Sequence, residues 1–543
     1  MPKTKGLLFL IVMLRLSVDA QKVTVGLTYT SDKVTDAYTL FSPAASKNVY
    51  LINNCGDLVH EWNTDFMPGQ GIKLKNNGDL VRTGRIDNDN FNDAGGLGGR
   101  IEILDWDGRL KWGYNYSSPM HTGHHDMCLL PNGNILLMIW ELKTTQEALA
   151  AGRSPEYMPH KGMWTEQLIE FKPVGVDSAV IVWKWDVWDH LVQDLDSTKA
   201  NYGIVADHPE KIDVNYNKVD HPCWVHFNSV DYNAELNQVM VSSRAYSEVW
   251  IIDHDTATTG NSKSGLLFRY GNPAAYNRGT AADVKLFYQH DARWVKCGTK
   301  YEDAIMVFNN GTTRPEGQYS TIETWLPEKN NEGKYAMQSN GTYNAISLWV
   351  YNENNKRGRF FSRRVSSADL LPNGHVRICN GNEGRFFEID EKENIVWQYI
   401  CPISLGGIPV SQGAPPPFVI NSVFKTEILL PDHPALVGKD LSPKGTVEKN
   451  PIKRDCNPHA GVVHAFSIDT GKSTAEIIVR IPGYNGRYGL KAYDAQGNAV
   501  ADYSISANTQ PIDISEFKAG AYQFVLTDSE GYTTCSRFMK LPD

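Results

Sequence analysis

Three features are scarce in this sequence, and each argues against a class of protein. After the first twenty residues there is no long hydrophobic run, so a membrane span is not expected in the rest of the chain, because a bilayer requires about 20 consecutive apolar residues. There is no basic block, and the net charge is −9, so nucleic acid is not an expected partner. None of the eight cysteines forms a Cys-x-x-Cys pair, so a cysteine zinc site is not expected either.

The N-terminus has the pattern of a secretory signal. Lys3 and Lys5 precede an apolar stretch from Gly6 to Leu14, and small residues end the segment at Ala20. The apolar stretch is shorter than the ~20 residues of a membrane anchor, although an anchor or a buried strand are the alternatives. Residues 1–20 are therefore predicted to be a signal peptide, and the mature protein is predicted to be exported to the periplasm, the cell surface or the medium.

Export permits disulfide bonds, since the compartments outside the cytoplasm are oxidising. Cys456 and Cys535 bracket the C-terminal segment and are a candidate pair. The other pairings cannot be read from the spacing.

Two kinds of hairpin alternate along the chain. One opens on a polar residue and continues into two apolar strands, as in His125–Leu137 and His226–Arg244. The other ends on an aromatic residue, as in Val49–Trp62 and Arg100–Trp112. Together they give about four strands per unit and six units between residues 49 and 435, the last of them irregular, with its inner strand at Asn421–Leu429. Radial repetition of four-stranded units is typical of a β-propeller.

The predicted fold is therefore all-β: a six-bladed β-propeller with inserted loops and helices, plus a small C-terminal β-sandwich. The alternatives are one large sandwich or two β-domains, neither of which explains the alternating hairpins. Predicted boundaries are 21–440 for the propeller, 441–455 for a linker and 456–543 for the C-terminal domain. Residues 141–166 and 186–222 are predicted to be partly helical insertions, and residues 312–345 a loop.

The residues that open the first hairpin of each unit should meet at one mouth of the central channel, because the innermost strand of each blade faces it. This set comprises Gln70, His125, His226, His290, Ser366 and Asn421. Three converging imidazoles can bind a metal, bind an anion, or act as nucleophile and acid–base. The alternative is that each histidine only satisfies backbone carbonyls in a tight core.

Arginine, rather than carboxylate, accompanies these histidines. Asp126 and Asp291 directly follow their histidines and should point to the opposite face of the strand. Arg314 and Arg244 each follow the end of an apolar strand. Histidine with arginine and without acid suits a sulfate or phosphate group, although Arg314 could instead form a surface salt bridge.

The segments Trp224–Tyr232, Ser242–Arg244, Gln289–Asp291 and Phe308–Gly311 with Arg314 resemble the aryl-sulfate sulfotransferases, over roughly residues 38–440. The resemblance implies an exported six-bladed propeller that needs no nucleotide donor, cofactor or metal. It implies transfer of a sulfuryl group from a phenolic sulfate ester to a phenol through a sulfohistidine.

Residues carried over from the family as catalytic are His226, His290 and Arg314. His125 joins the catalytic candidates by its matched position, and the substrate-binding candidates are His190, Arg244, Ser366, Gln70 and Asn310.

One departure from the family concerns the covalent residue. The family's sulfated histidine lies in a later blade, but the segment Cys379–Glu388 contains no histidine. His125 or His290 is then the candidate nucleophile, with His190 reaching in from the insertion. In the expected mechanism a neutral imidazole attacks sulfur, Arg314 and a protonated histidine hold the sulfuryl oxygens, and another histidine moves the phenol proton.

Two other functions fit the same pattern: a metal-dependent propeller hydrolase of an ester or lactone, and a non-catalytic anion-binding propeller. The expected partners are small molecules, a phenolic sulfate donor and a phenol acceptor. The segments Tyr493–Gly497 and Lys518–Tyr522 resemble type IX secretion sorting domains. Contact with secretion machinery and a homodimer are further expectations.

Overall fold

A computed structural model describes most of the chain. The described residues are 23–218, 221–254, 265–296, 299–353, 360–452, 455–457, 467–469, 475–481, 487–494, 498–527 and 533–540. The predicted signal peptide lies outside them. So do Ala495–Gly497, the end of one segment that resembles a sorting domain.

In the described ranges, twenty-eight strands precede the C-terminal domain. In chain order they are β1 (Gly26–Thr30), β2 (Tyr38–Pro43), β3 (Val49–Ile52), β4 (Leu58–Trp62), β5 (Pro68–Leu74), β6 (Leu80–Arg85), β7 (Gly99–Leu104), β8 (Leu110–Asn115), β9 (Ser117–Ser118), β10 (His121–Leu129), β11 (Ile135–Lys143), β12 (Met163–Val174), β13 (Ser178–Asp186), β14 (Leu191–Val192), β15 (Ile212–Asp213), β16 (Phe227–Asn233), β17 (Gln238–Ser243), β18 (Glu248–Asp253), β19 (Leu266–Tyr270), β20 (His290–Trp294), β21 (Ile305–Asn309), β22 (Thr321–Pro327), β23 (Ala345–Tyr351), β24 (Ser367–Leu370), β25 (Val376–Asn380), β26 (Arg385–Ile389), β27 (Ile395–Ile400) and β28 (Val423–Leu429).

These strands form six antiparallel blades, which confirms the propeller. The blades are β28-β2-β3-β4, β5-β6-β7-β8, β9-β10-β11-β12-β13, β16-β17-β18-β19, β20-β21-β22-β23 and β24-β25-β26-β27-β1. The first full-length strand of each blade is innermost, and neighbouring inner strands contact one another around the ring. The short strands β14 and β15 pair with each other in parallel, outside the blades.

The ring is closed by both ends of the propeller sequence. At one end β1 pairs with β27 and becomes the outer strand of the sixth blade. At the other end β28 pairs with β2 and becomes the inner strand of the first blade. This confirms Asn421–Leu429 as the site of the irregular unit's inner strand.

Buried ion pairs join neighbouring strands within three of the blades. Arg82 contacts Glu102, Arg269 contacts Glu248 and Arg377 contacts Glu388, each pair within hydrogen-bond distance and each almost fully buried. Because an unpaired buried charge is costly, loss of either partner would destabilise the blade.

Two local predictions differ from the structure. Strand β22 lies inside residues 312–345, which were expected to be a loop; it alternates Thr, Ile, Glu, Thr, Trp and Leu and pairs with β21 and β23. Within residues 186–222, which were expected to be partly helical and in which Leu191–Leu195 was the expected helical part, Leu191–Leu195 is not helical. A four-residue 3₁₀ helix at Val187–His190 precedes it, and β14 begins at Leu191.

The helices of the propeller are short. The α-helix α1 is Thr145–Ala150, closed at its N-terminus by a capping box between Thr144 and Glu147. The remaining 3₁₀ helices are Pro155–Tyr157, Val205–Asp207, Pro273–Tyr276, Ala281–Asp283, Gly381–Glu383, Leu405–Gly407 and Pro434–Leu436. No helix in the described ranges is long and apolar enough to cross a membrane.

The C-terminal domain is a small β-sandwich with its own core. Its strands are β29 (Ser467–Asp469), β30 (Glu476–Arg480), β31 (Tyr488–Asp494), β32 (Ala499–Ile505), β33 (Thr509–Asp513), β34 (Gly520–Thr527) and β35 (Thr533–Lys540). They form the sheets β29-β30-β33 and β32-β31-β34-β35. Alternate residues such as Ile477, Leu490 and Phe524 are buried between them.

The disulfide pairing predicted for Cys456 is wrong. Cys456 is bonded to Cys55, 401 positions earlier in the chain, and not to Cys535. Cys55 lies in the turn between β3 and β4. The bond therefore ties the segment after the propeller to the first blade, a proximity that depends on ring closure and that sequence spacing does not show.

Candidate active site

The inner strands of four consecutive blades each contain a stretch of irregular backbone at the equivalent position, near the start of the strand. The pairing of the inner strand with its neighbour shifts at Pro68/Ile72, His124/Met127, Phe227/Ser229 and His290/Arg293. Gln70, His125 and His226 have φ values of 88°, 46° and 58°. A β-bulge of this kind turns a side chain away from the regular pleat, and here it turns the polar residues of successive blades toward one mouth of the channel.

A cavity of about 750 Å³ lies at this mouth. Among the residues that the structure describes, it is lined by four histidines and three arginines and by no aspartate or glutamate. These residues are His125, His221, His226, His290, Arg244, Arg363 and Arg364. Positive potential is therefore concentrated here although the whole chain is acidic, which favours an anionic ligand.

The structure brings His125, His226 and His290 together. The ring centroids of His125 and His226 are 5.0 Å apart. Phe424, on the closing strand β28, lies 5.9 Å from His125 and 6.4 Å from His290 by the same measure. A Cβ added at Gly96 would stand 2.2 Å from the His125 ring. The ring can occupy this position because Gly96 has no side chain.

Asn310 fixes the tautomer of His290. The amide nitrogen of Asn310 donates to the carbonyls of Ser362 and Val365, at 2.8 and 3.0 Å. Its Oδ1 therefore faces His290 as an acceptor, 2.7 Å from Nδ1. Nδ1 must carry the proton, and Nε2 of His290 keeps a lone pair.

Cys223 is the partner of Nδ1 of His226. Its sulfur lies 3.0 Å from that nitrogen. Burial raises the pKa of the Cys223 thiol well above its usual value, so the sulfur keeps its proton and the S–H can donate to Nδ1. In that arrangement Nε2 of His226 carries a proton and is a donor.

His125 ends a buried chain of hydrogen bonds. Its Nδ1 lies 2.9 Å from Nδ1 of His124, and Nε2 of His124 lies 2.8 Å from Glu166. Glu166 also accepts from the backbone N–H of Phe227 and the indole of Trp140. Glu166 and His124 are completely inaccessible to solvent.

This chain has two consistent arrangements of protons. With Glu166 ionised, each histidine donates toward it and Nε2 of His125 has a lone pair. With Glu166 protonated, the donors reverse and Nε2 of His125 carries a hydrogen. One proton accepted at His125 can thus be stored on Glu166, whose pKa burial raises well above its usual value.

His125, His226 and His290 are neutral at neutral pH. Burial lowers the pKa of His125 and of His226 well below the usual value. Burial, followed by the nearby Arg244 guanidinium, lowers the pKa of His290 to about 3. The expected protonated histidine is therefore not present in the free site, and a guanidinium has to supply the positive charge.

Arg244 is placed for that role. It lines the cavity, its guanidinium lies 4.3 Å above the Tyr288 ring, and its backbone N–H donates to the carbonyl of His226 at 3.0 Å. Within the described ranges no carboxylate lies within 4.0 Å of it. A half-buried guanidinium without a carboxylate favours an anionic ligand.

Gln70 also lines the cavity. Its Oε1 is buried and has no hydrogen-bond partner among the described residues. A substrate hydroxyl is a suitable donor to it.

Arg314 does not line the cavity. Its guanidinium lies 3.3 Å from Glu323 and donates to Thr321, and it packs over the rings of Phe287 and Tyr319. The salt-bridge alternative describes its position, and Arg244 is the guanidinium that lies at the histidines.

Polar groups of three other candidates are engaged in contacts within the protein. His190 stacks on Trp185 at 4.7 Å and contacts the carbonyl of Asp186, away from the cavity lining. The hydroxyl of Ser366 is engaged with Ser362 and the backbone N–H of Gly381. The amide of Asn421 donates to two backbone carbonyls.

Five site residues were not found from the sequence: His124, Glu166, Cys223, Arg363 and Arg364. His124 precedes His125 directly, and this His-His pair was a visible signal. Glu166 lies in a different strand, 42 positions from His124, and nothing in the spacing connects the two. Among the described residues no three His, Cys, Asp or Glu side chains are arranged to hold a metal ion.

A protein-family model described as Arylsulfotransferase (ASST) matches residues 19–400. No curated protein matches the chain. Several solved structures do. A protein of unknown function from Bacteroides caccae is 13% identical, with 72% of this chain and 98% of that chain covered and a TM-score of 0.40.

Two further solved structures are described as lactonases. A putative 6-phosphogluconolactonase from Bacteroides fragilis is 8% identical, with 72% of this chain and 98% of that chain covered and a TM-score of 0.33. The periplasmic gluconolactonase of Pseudomonas aeruginosa is 9% identical, with 93% and 99% covered and a TM-score of 0.35.

Proposed function

The chain belongs to the arylsulfotransferase family, and from this premise we propose that it moves a sulfuryl group from a phenolic sulfate ester to a phenol, with His290 as the nucleophile. The family supports an enzyme of the sulfotransferase kind. The choice of substrate, mechanism and nucleophile is our proposal. The observation that carries it is the Asn310 contact, which places the proton on Nδ1 and leaves Nε2 of His290 with a lone pair near the Arg244 guanidinium.

In the first half of the reaction Nε2 of His290 attacks the sulfur of the aryl sulfate. The N–S bond forms as the bond between sulfur and the phenolic oxygen breaks. The imidazole becomes positively charged, and Asn310 Oδ1 stabilises this charge through the Nδ1 proton. Arg244 and the Nε2 proton of His226 hold the sulfuryl oxygens, where preorganised donors are most effective.

The leaving phenolate takes a proton from Nε2 of His125, and the chain through His124 returns to the form with Glu166 ionised. In the second half the acceptor phenol gives its proton to His125, and Glu166 becomes protonated again. The phenolate oxygen attacks sulfur, the N–S bond breaks and His290 is restored. The protons balance over one cycle without solvent, and the kinetics are ping-pong.

Export is part of the proposal. Two features support it: the signal-like pattern of residues 1–20 and the Cys55–Cys456 disulfide, since such bonds persist in oxidising compartments.

The direct test is release of a chromogenic phenol from 4-nitrophenyl sulfate, measured with and without added phenol. We expect release to rise with phenol concentration and phenyl sulfate to form, in the presence of EDTA. Release that does not depend on phenol would indicate a sulfatase. Loss of release in EDTA would indicate the metal-dependent hydrolase, and binding without release the non-catalytic propeller.

The acid limb of the pH profile is a second expected result. A free imidazole with a pKa near 6.5 is only about 3% neutral at pH 5. The pKa of His290 is lowered to about 3, so its neutral, attacking form persists at pH 5. We expect kcat/KM at pH 5 to stay within about twofold of its value at pH 7, because kcat/KM reports the free enzyme. A loss of activity centred near pH 6.5 would contradict this.

A further inference from the structure

The cavity holds more positive charge than a sulfate monoester can neutralise. Arg244 lies at its inner end with the histidines, whereas Arg363 and Arg364 line it as exposed side chains. Within the described ranges neither exposed arginine has a carboxylate within 4.0 Å. Burial lowers the pKa of Arg244, and Arg363 and Arg364 lie close enough to lower it further. Like charges kept together without counter-ions are costly unless a ligand compensates them.

The backbone that carries the two arginines is strained. Val365 has a φ of 53° and Ser366 a φ of 94°. A β-branched residue in the left-handed region is an outlier, because its Cβ crowds the following carbonyl. Strain of this kind persists where surrounding contacts determine the backbone, and such places cluster at ligand sites.

Contacts that determine the backbone are present at every carbonyl of the segment Ser362–Val365. Asn310 holds the carbonyls of Ser362 and Val365, at 2.8 and 3.0 Å. Thr312 holds the carbonyl of Arg363 at 2.9 Å, and the hydroxyl of Ser362 holds that of Arg364 at 3.0 Å.

One amide, Asn310, therefore fixes both this segment and the His290 nucleophile. The spacing between the reacting sulfur and the two exposed arginines is set by the fold rather than by a mobile loop.

We infer that Arg363 and Arg364 form a second anion subsite, and that the preferred substrates are phenols and aryl sulfates that carry a further anionic group, such as a carboxylate, on the ring. This inference rests on the proposed transfer reaction. The sulfuryl group or phenolic hydroxyl lies at His290 and Arg244, and the ring projects outward. The anionic substituent then accepts hydrogen bonds from the exposed guanidiniums, which match a carboxylate in shape.

The test compares two acceptors of similar size, 4-hydroxybenzoate and 4-hydroxybenzamide, as their ratio of kcat/KM. We expect a ratio of about ten at low salt, equivalent to one charge-assisted contact. The ratio should fall as NaCl shortens the range of the attraction. In the R363Q/R364Q double variant it should approach one.

R109Q is the matched control, because Arg109 is an exposed arginine in the turn before β8 that pairs with Asp107 at 2.7 Å. It should keep the wild-type ratio. A wild-type ratio of one or less, or a ratio unchanged in the double variant, would overturn the second subsite while transfer to the benzamide still upholds the proposed function.

If neither acceptor is sulfated, that result counts against the transfer reaction itself. The second anion subsite is then tested by binding alone. His290→Ala protein would be titrated calorimetrically with phenyl sulfate and with 4-carboxyphenyl sulfate. About tenfold tighter binding of the carboxylated ester, lost in R363Q/R364Q, supports the subsite. Equal binding of the two esters rejects it.

Discussion

His290→Ala is expected to reduce sulfuryl transfer by at least about 10⁴-fold, since removal of a nucleophile leaves only binding and oxyanion stabilisation. The wild-type enzyme mixed with 4-nitrophenyl sulfate and no acceptor should give one rapid equivalent of 4-nitrophenol. Mass spectrometry under alkaline quench should place the sulfuryl group on the peptide that contains residue 290. Both signals should vanish in the variant.

His160→Ala is the control, because His160 is exposed and does not line the cavity; it should keep both signals. Asn310→Ala should retain the label but form it more slowly, since either tautomer of His290 then becomes available. A label on residue 125 or 226, or an active His290→Ala enzyme, would show that another imidazole attacks sulfur.

Glu166→Gln is the second variant with a large expected effect. The amide can donate to His124 but cannot take up or release a proton, so His125 is held with a hydrogen on Nε2. We expect transfer to an unactivated phenol to fall by about 10²–10³-fold, the range for loss of a positioned proton transfer. The burst from 4-nitrophenyl sulfate should fall by less than about tenfold, because 4-nitrophenolate leaves without protonation.

Glu170→Gln provides a matched comparison. Glu170 lies four residues further along β12 and contacts His254 at 2.8 Å, another buried glutamate–histidine pair, but neither residue lines the cavity. In the Glu170→Gln variant, the rate of transfer should depend on the pKa of the acceptor phenol no more steeply than in the wild type. If Glu166→Gln slows the burst and the transfer equally, the residue only supports the fold and the proton relay is rejected.

The propeller could be predicted from the sequence because each blade repeats the same order of hairpins. The equivalence of His125, His226 and His290 followed from that order, since residues at one repeat position meet at one end of the channel. Strand β22 was missed because its neighbour β23 begins 18 residues after it ends, unlike the tight turns elsewhere.

The electrostatic details of the site could not be read in the same way. Arg314 was carried over from a family motif, and the sequence did not show that Glu323, nine residues later on β22, would pair with its guanidinium. The tautomers of the three histidines depend on Asn310, Cys223 and Glu166, each brought in by tertiary packing. Repeat position identified the residues, but not the hydrogen bonds that distinguish them.

The closing strand β28 has a consequence for biosynthesis. The first blade has no inner strand until residues 423–429 have been synthesised, and Phe424, which touches two of the histidine rings, arrives on that strand. Pairing between chain segments so distant in sequence forms late, because a very large loop must close first. A nascent chain therefore lacks the Phe424 contacts with His125 and His290 until β28 completes the ring.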